Sequence, residues 1–423
     1  MTHSRRDFLI SGLASGAAIP TLNRSLWSHA ASMAPSAGRK LIIIQVDGGW
    51  DYFNQIVPVY SPTYYSARPN VAVDNTSSAT LPISSKVPEK WASFASAWRD
   101  LYDRGDLAVI NNVGHPEPDQ SHFESQTRWY TGKAKPNDGD DGWLGRYLTQ
   151  AYTGTSSIPA IDASATATGA FDGARVPVIG STTTGRFGFE TDYYTSGDNL
   201  VEVAAMEIAA SVKRTTSESL AYTSDVMSRT FRLVQLLQNA AQYYQPKVQY
   251  PYNIDITPYL YRIAGLLTQN FPSHVYYLRT GAYDHHTYLA GKGGTTGQFA
   301  DAIRALSGNI KAFLDDMKLQ GRGQEVVVLV FSEFSRRFGE NGSQGLDHGH
   351  GGVAYVAGEP VIGGYYGKYP DLAKVTTPYE EWFPDFDKDS TDFRRVYASI
   401  LEKWLGVSSS IVLGSQFATL PIL

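Results

Sequence analysis

Seven consecutive positions, Lys40-Leu41-Ile42-Ile43-Ile44-Gln45-Val46, are almost wholly apolar, and this run constrains the fold more than any other feature of the chain. A strand wetted on one face alternates apolar and polar residues. A continuous apolar run is buried on both faces, as in a parallel sheet covered by helices. It ends in Asp47-Gly48-Gly49-Trp50-Asp51, a turn at the strand's carboxyl edge. Three more runs follow: 107–112 after an expected helix over 91–104, 274–279, and 325–331 after an expected helix over 297–320. Strands alternating with helices predict an α/β fold with a doubly wound, mainly parallel sheet and helices on both faces. Residues from about 152 to 259 break the pattern. They are first rich in Thr, Ser, Gly and Ala, then show helical spacing at Phe231, Val234, Leu237 and Ala241, and read as an inserted cap. A further amphipathic helix is expected over 393–405.

The start of the chain reads as an address. Ser4-Arg5-Arg6-Asp7-Phe8-Leu9 opens a Gly/Ala-rich apolar run that ends near Pro20, and small residues recur at Ala30-Ala31-Ser32-Met33-Ala34. Residues 1–34 resemble a twin-arginine export signal. The expected partner is the twin-arginine translocation machinery, and the expected location is periplasmic or extracellular. That route carries folded cargo, often with a cofactor already loaded. The run is too short for a membrane span, and no other apolar stretch reaches about 18 residues, so no stable span is expected.

Composition narrows the chemistry. Hydrophobic residues are 42% of 423, enough for a substantial core, and the net charge of −5 leaves no basic footprint for nucleic acid. There is no Cys, which excludes disulfides, thiolate catalysis and Cys-ligated zinc. A metal would have to be held by His, carboxylate, amide or hydroxyl groups.

The placement of the histidines supplies such a site. Of nine, His3 and His29 fall in or beside the signal, and His274 opens a strand. The other six, His115, His122, His285, His286, His348 and His350, lie in segments after expected strands. In open α/β sheets ligands bind beyond the carboxyl ends of the strands. The same loops carry Asp47, Asp51, Asp119, Asp284, Glu333 and Asp347. Four loops converging with oxygen and nitrogen donors suit a site for one or two divalent ions, Zn or Mn rather than Ca or Mg because of the imidazoles. Ser121, before an expected helix over 122–130, is either a nucleophile at a helix N-terminus or simply its N-cap. Arg128, Arg336 and Arg337 are within sequence reach of the same loops.

Several segments occur in an order that resembles a bacterial family of twin-arginine-exported proteins, the domain of unknown function 1501. They are Gly48-Gly49-Trp50-Asp51 with Asn54 and Pro58, Ser121-His122-Phe123, Gly142-Trp143-Leu144-Gly145-Arg146 and Tyr283-Asp284-His285-His286. Phe331-Ser332-Glu333-Phe334-Ser335-Arg336-Arg337, Asp347-His348-Gly349 and Asp392-Phe393-Arg394 continue the series. The resemblance implies kinship with the alkaline phosphatase and sulfatase superfamily, and hence a two-metal site for phosphoryl or sulfuryl transfer. It implies metal ligands at Asp51 (or Asp47), Asp284, His286, Glu333, Asp347 and His348, with Ser121 and His122 catalytic. His285, His350 and Asn54 are additional candidates. The pattern departs from the superfamily where Phe334 follows Glu333, leaving one ligand of the second metal to His122 or Asn54. No Pro and Arg follow Ser121 as they do a sulfatase nucleophile. The expected activity is hydrolysis of phosphate or sulfate esters of a small molecule or polysaccharide. The alternative is a non-catalytic secreted binding or assembly module, and the two are separated by whether Glu333, Asp51 and Ser121 converge.

Overall fold

The computed structural model describes residues 38–152, 158–164, 168–176, 178–180, 244–291 and 293–423. Its main sheet runs from edge to edge as β11 (Gly364–Tyr366), β5 (Leu107–Gly114), β10 (Gly352–Ala357), β9 (Val326–Ser332), β1 (Lys40–Val46), β8 (Val275–Thr280), β6 (Ala160–Asp162) and β7 (Val178–Gly180). A short β12 (Thr391–Asp392) pairs with β5. Every strand runs in one direction except β10, which is antiparallel to β9 and β5. The mainly parallel α/β sheet read from the sequence is therefore the fold.

The apolar run of β1 is buried at all seven positions because it feeds both faces. Ile42, Ile44 and Val46 join one core with α2 (Ser96–Asp103), α5 (Thr257–Thr268) and α6 (Gln298–Leu319). Leu41 and Ile43 join the other with α3 (His122–Thr131), α4 (Trp143–Ala151), α7 (Phe393–Ser399) and α8 (Ser409–Leu413). A small antiparallel sheet, β2 (Ile56–Val57), β4 (Val87–Ala92) and β3 (Thr80–Ser84), and helix α1 (Pro62–Ala67) add to the first core.

Register sets where the site forms. Val46 pairs with Ser332 on one side and Thr280 on the other, so β1, β8 and β9 end level. Because β10 is reversed, its beginning at Gly352 lies beside Val113 near the end of β5. The loop before β10 thus opens at the same sheet edge as the loops after the other strands.

Three expectations change, and others lie outside the described residues. Trp91 and Ala92 belong to β4, paired with β3, so the helix expected from Trp91 begins at Ser96. Residues 160–162 and 178–180, expected within an inserted cap, instead extend the main sheet beyond β8. The tail helix stops at Ser399 and continues as a π-helical turn, Ile400–Leu405. The signal, the helical spacing at Phe231–Ala241 and most of the expected cap lie outside the described residues.

Candidate metal centre

Helix α3 begins at His122 because Ser121 caps it: the Ser121 hydroxyl accepts the Glu124 N–H at 3.4 Å. The helix is pinned to the end of β9 by Trp129, whose ring stacks on Phe331 at 4.0 Å and whose Nε1 donates to the Glu333 carbonyl at 3.1 Å. This fixes His122 over the sheet edge. From the loop after β8 come Asp284 and His286. From the loop before β10 comes His348, joined to Arg336 by an isolated antiparallel bridge.

The turn after β1 passes against these loops. Gly48 has φ +114°, and a Cβ there would lie 2.5 Å from the Asp284 nitrogen. The close approach lets the Gly48 N–H donate to Glu333 Oε1 at 2.9 Å. Gly349 serves the same end on the other loop, where a Cβ would meet the Arg336 backbone at 2.6 Å.

Three imidazoles and one carboxylate meet. His348 Nε2 lies 3.0 Å from His122 Nε2 and 3.0 Å from His286 Nε2. Asp284 Oδ1 is 2.9 Å from His286 Nε2 and 3.5 Å from His348 Nε2, and Asp284 Oδ2 is 3.6 Å from His122 Nε2. The opposite nitrogen of every ring faces an acceptor. His122 Nδ1 is 2.6 Å from Glu333 Oε1, His286 Nδ1 is 2.8 Å from Asp347 Oδ1, and His348 Nδ1 is 2.8 Å from the Gln120 carbonyl. A neutral ring that donates from Nδ1 presents a bare lone pair at Nε2. Arg336 Nη1 faces His286 Nε2 at 3.3 Å and its Nη2 faces Asp284. The His122 and His348 lone pairs and the Asp284 carboxylate repel unless a further cation lies among them, so the donor set fits a divalent metal. The outer acceptors are the groups that orient metal-binding histidines elsewhere.

The charges of Glu333, Asp284 and His348 agree with that reading, whereas His122 is shifted toward its protonated form, which a cation at Nε2 would displace. Burial alone would raise Glu333, but the His122 hydrogen bond and the Gly48 N–H bring its carboxyl below the usual range and keep it ionised. Burial would also raise Asp284, and the Arg336 guanidinium more than offsets it, at 2.5 Å from Oδ1. His122 is raised, first by its hydrogen bond to Glu333. Burial lowers His348, and Arg336 and His122 add to this. Arg336 is itself fully buried, with its remaining N–H groups on the carbonyls of Gly48, Gly49 and Leu346 and, from Nη1 at 3.3 Å, on His286 Nε2. It braces the two loops that deliver the ligands.

Other expected ligands lie elsewhere. Asp51 is fully buried in an ion pair with Arg68 at 2.6 Å, and Asn54 accepts from Arg68 and from the Tyr64 hydroxyl. Both anchor the turn after β1 instead of reaching the metal donors. Glu333 and Asp347 stand one layer out, behind His122 and His286. His285 turns inward with Nδ1 on the Tyr283 carbonyl, and His350 faces the Pro384 carbonyl and the His115 ring. Asp47 pairs with Arg279 at 2.7 Å. Glu333, Asp51 and Ser121 do not converge, since Asp51 is held by Arg68 and Ser121 caps α3. By the criterion set from the sequence this counts toward the binding-module reading. What favours the hydrolase instead is the separate cluster of donors around His348. Among the described residues one cluster of metal-type donors stands out, His122, Asp284 and His348, and not the two sites the family resemblance implies. His122, expected as catalytic, supplies a donor. The Gln120 carbonyl was not foreseen, since backbone acceptors leave no mark in sequence.

No curated protein matches the chain. Among solved structures, it is similar to the lipoteichoic acid synthase LtaP from Listeria monocytogenes, at 8% identity over 91% of this chain and 77% of that one, TM-score 0.36. It is similar to a protein in the alkaline phosphatase superfamily from Vibrio parahaemolyticus, at 10% identity over 94% and 78%, TM-score 0.35. The PsFucS1 sulfatase from Pseudoalteromonas sp. gives 9% identity over 94% and 74%, TM-score 0.36. Residues 273–408, which contain Asp284, His286, Glu333, Arg336, Asp347 and His348, match the family model described as "Protein of unknown function (DUF1501)".

Proposed function

We propose that this protein is an exported metal-dependent hydrolase of phosphate or sulfate esters, working with one divalent ion held by His122, Asp284, His286 and His348. The observation that carries the reading is the convergence of three Nε2 lone pairs and a carboxylate, with every Nδ1 held from behind. A divalent ion bound there supplies Lewis acidity and a water acidified toward neutral pH. Zn or Mn suits the nitrogen-rich donors, and the absence of thiolate leaves both open.

The chain's own groups do the rest. Glu333, Asp347 and the Gln120 carbonyl fix the tautomer of each ring, so the donors need no rearrangement on binding. Arg336 holds Asp284 in place and keeps it ionised. Arg337, half-buried, donates from Nε to the His348 carbonyl and from Nη2 to Gln120 Oε1. Its Nη1 donates to the Glu380 carbonyl at 3.2 Å at the exposed edge, and this guanidinium is assigned to the ester's charged oxygens. Ser121 is engaged as a helix cap, which favours water over serine as the nucleophile. The Arg5-Arg6 segment supports export by the twin-arginine route.

The test begins with metal content of protein purified after export and without chelator. About one equivalent of Zn or Mn is expected in the wild type and less than about a tenth in His348→Ala, with both folded. The loaded protein should cleave p-nitrophenyl phosphate or p-nitrophenyl sulfate, His348→Ala should not, and Ser121→Ala should retain activity. A folded wild type that takes up neither metal would sink the proposal. Loss of all turnover in Ser121→Ala would restore the serine as nucleophile.

A further inference from the structure

Two exposed aromatic rings adjoin the metal centre. Phe123 is 82% exposed and Tyr288 is 70% exposed, the two highest values among the large exposed hydrophobic side chains of the described residues. Phe123 follows His122 directly, and Tyr288 comes two residues after His286. Since His122 Nε2 and His286 Nε2 both approach His348 Nε2 at 3.0 Å, the rings are carried by the first turn of α3 and by the loop after β8, which bring donors to the same point.

Neither position is accidental in the backbone. Phe123 sits in the first turn of α3, which Ser121 caps and Trp129 ties to β9. Tyr288 has φ +47°, a left-handed conformation that is uncommon for a bulky residue. It is held there because its N–H donates to the Ser343 carbonyl at 3.2 Å, and the next N–H, of Leu289, donates to the Gln344 carbonyl at 3.0 Å. The turn buries Leu289 fully and leaves the tyrosine ring outside.

The centre itself is shallow. The side chains of Asp284, His286 and Asp347 are 49%, 42% and 40% exposed. Sites for small molecules are concave and bury most of their ligand. Open donors with isolated rings beside them suit a long ligand that lies across the surface. The neighbours of the rings are polar or charged. Glu124 follows Phe123, and Asp119 lies beside the Ser121 cap, its carboxylate accepting the Ser121 N–H at 2.8 Å. Asp347 stands behind His286. That surrounding disfavours a bilayer, whose interfacial binders combine a broad apolar face with Lys and Arg. It suits sugar rings, which offer C–H faces to aromatic rings and hydroxyls to carboxylates.

We infer that Phe123 and Tyr288 form an aromatic platform for a glycan, so that the ester presented to the metal is carried on a polysaccharide. This rests on the hydrolase reading and adds the class of substrate to it.

Affinity electrophoresis tests the platform without turnover. Metal-loaded protein is run through gels cast with dextran sulfate, κ-carrageenan or phosphorylated amylopectin, and its mobility is compared with that in plain gel. Retardation by at least one of these polymers is expected. In Phe123→Ala and in Tyr288→Ala the apparent affinity should fall about 10-fold, and Phe123→Tyr should recover it. Metal content and melting temperature of each variant show that the centre and fold persist. Equal retardation of wild type and both alanine variants overturns the platform, as does the absence of retardation by all three polymers. Sedimentation with phosphatidylglycerol vesicles that is lost in Phe123→Ala would assign the rings to a membrane and also overturn it. Failure of the hydrolase reading is distinct: it appears as wild-type protein without metal and without p-nitrophenyl ester cleavage, whatever the gels show.

Discussion

Glu333 stands directly behind His122, with no water-accessible surface on its side chain, and accepts from His122 Nδ1, the Gly48 N–H and the Ser332 hydroxyl. Replacing it with Gln keeps the volume and removes the charge that holds the proton on Nδ1. Metal affinity of Glu333→Gln is expected to fall about 10- to 100-fold with the stoichiometry unchanged, as measured by competition with a chromophoric chelator. Loss of stoichiometric binding at saturating metal would make Glu333 a direct ligand instead. Residue type was legible in the sequence here, and layer was not. Asp, Glu and His after strands pointed to one sheet edge. Which carboxylate faces the ion and which stands behind a ring depends on differences of about one side-chain length. One clue to Glu333 was available, because it immediately follows a strand of seven buried residues and so starts from the interior.

At the scale of elements, the Asp51–Arg68 pair does what the metal was expected to do for Asp51. Arg68 also donates to the carbonyls of Arg337 and Phe338, so one buried guanidinium ties the turn after β1 and the end of α1 to the loop that carries Arg336. Asp51→Ala leaves that charge buried and unpaired. The expected cost is about 3–5 kcal/mol in urea unfolding, with metal stoichiometry retained in the absence of denaturant. Metal loss without loss of stability would return Asp51 to the ligand set. The four core strands were legible almost to the residue, because continuous runs such as Val326–Phe331 have no other place than the middle of a sheet. β6 and β7 are three residues each, too short to show a period, and they stood in a Thr/Gly-rich stretch that read as an insertion. The apolar spacing before β5 predicts too long a helix because Trp91 fits an apolar helical face equally well. Its pairing with Ile56, 35 residues earlier, is a long-range contact, which local pattern cannot reveal.

Across the whole molecule, two buried histidines outside the centre set an acid limit. His115 is lowered to about 3, by burial first and then by His350, and His274 to about 4, by burial and then by Lys40. Each ring is neutral in the folded chain and would gain a proton on unfolding once the pH drops below its ordinary 6.5. Their contribution to stability is therefore complete above pH 6.5 and declines as pH falls from 6.5 toward 4, by about 1.4 kcal/mol per unit for each ring. Urea midpoints measured on chelator-treated protein should be clearly lower at pH 5 than at pH 7.5, and His274→Gln should flatten the difference. A midpoint independent of pH in that range would mean that neither ring is held neutral.

The span of chain between donors has its own consequence. His122 and His348 are 226 residues apart, and His122 and Glu333 are 211 apart, so although Asp284 and His286 share one loop the full donor set cannot form within a single segment. Contacts that distant close late, after the strands between them have docked. Under the proposed function the full donor set is therefore complete only once the sheet is assembled, and uptake of an ion would report that folding is finished.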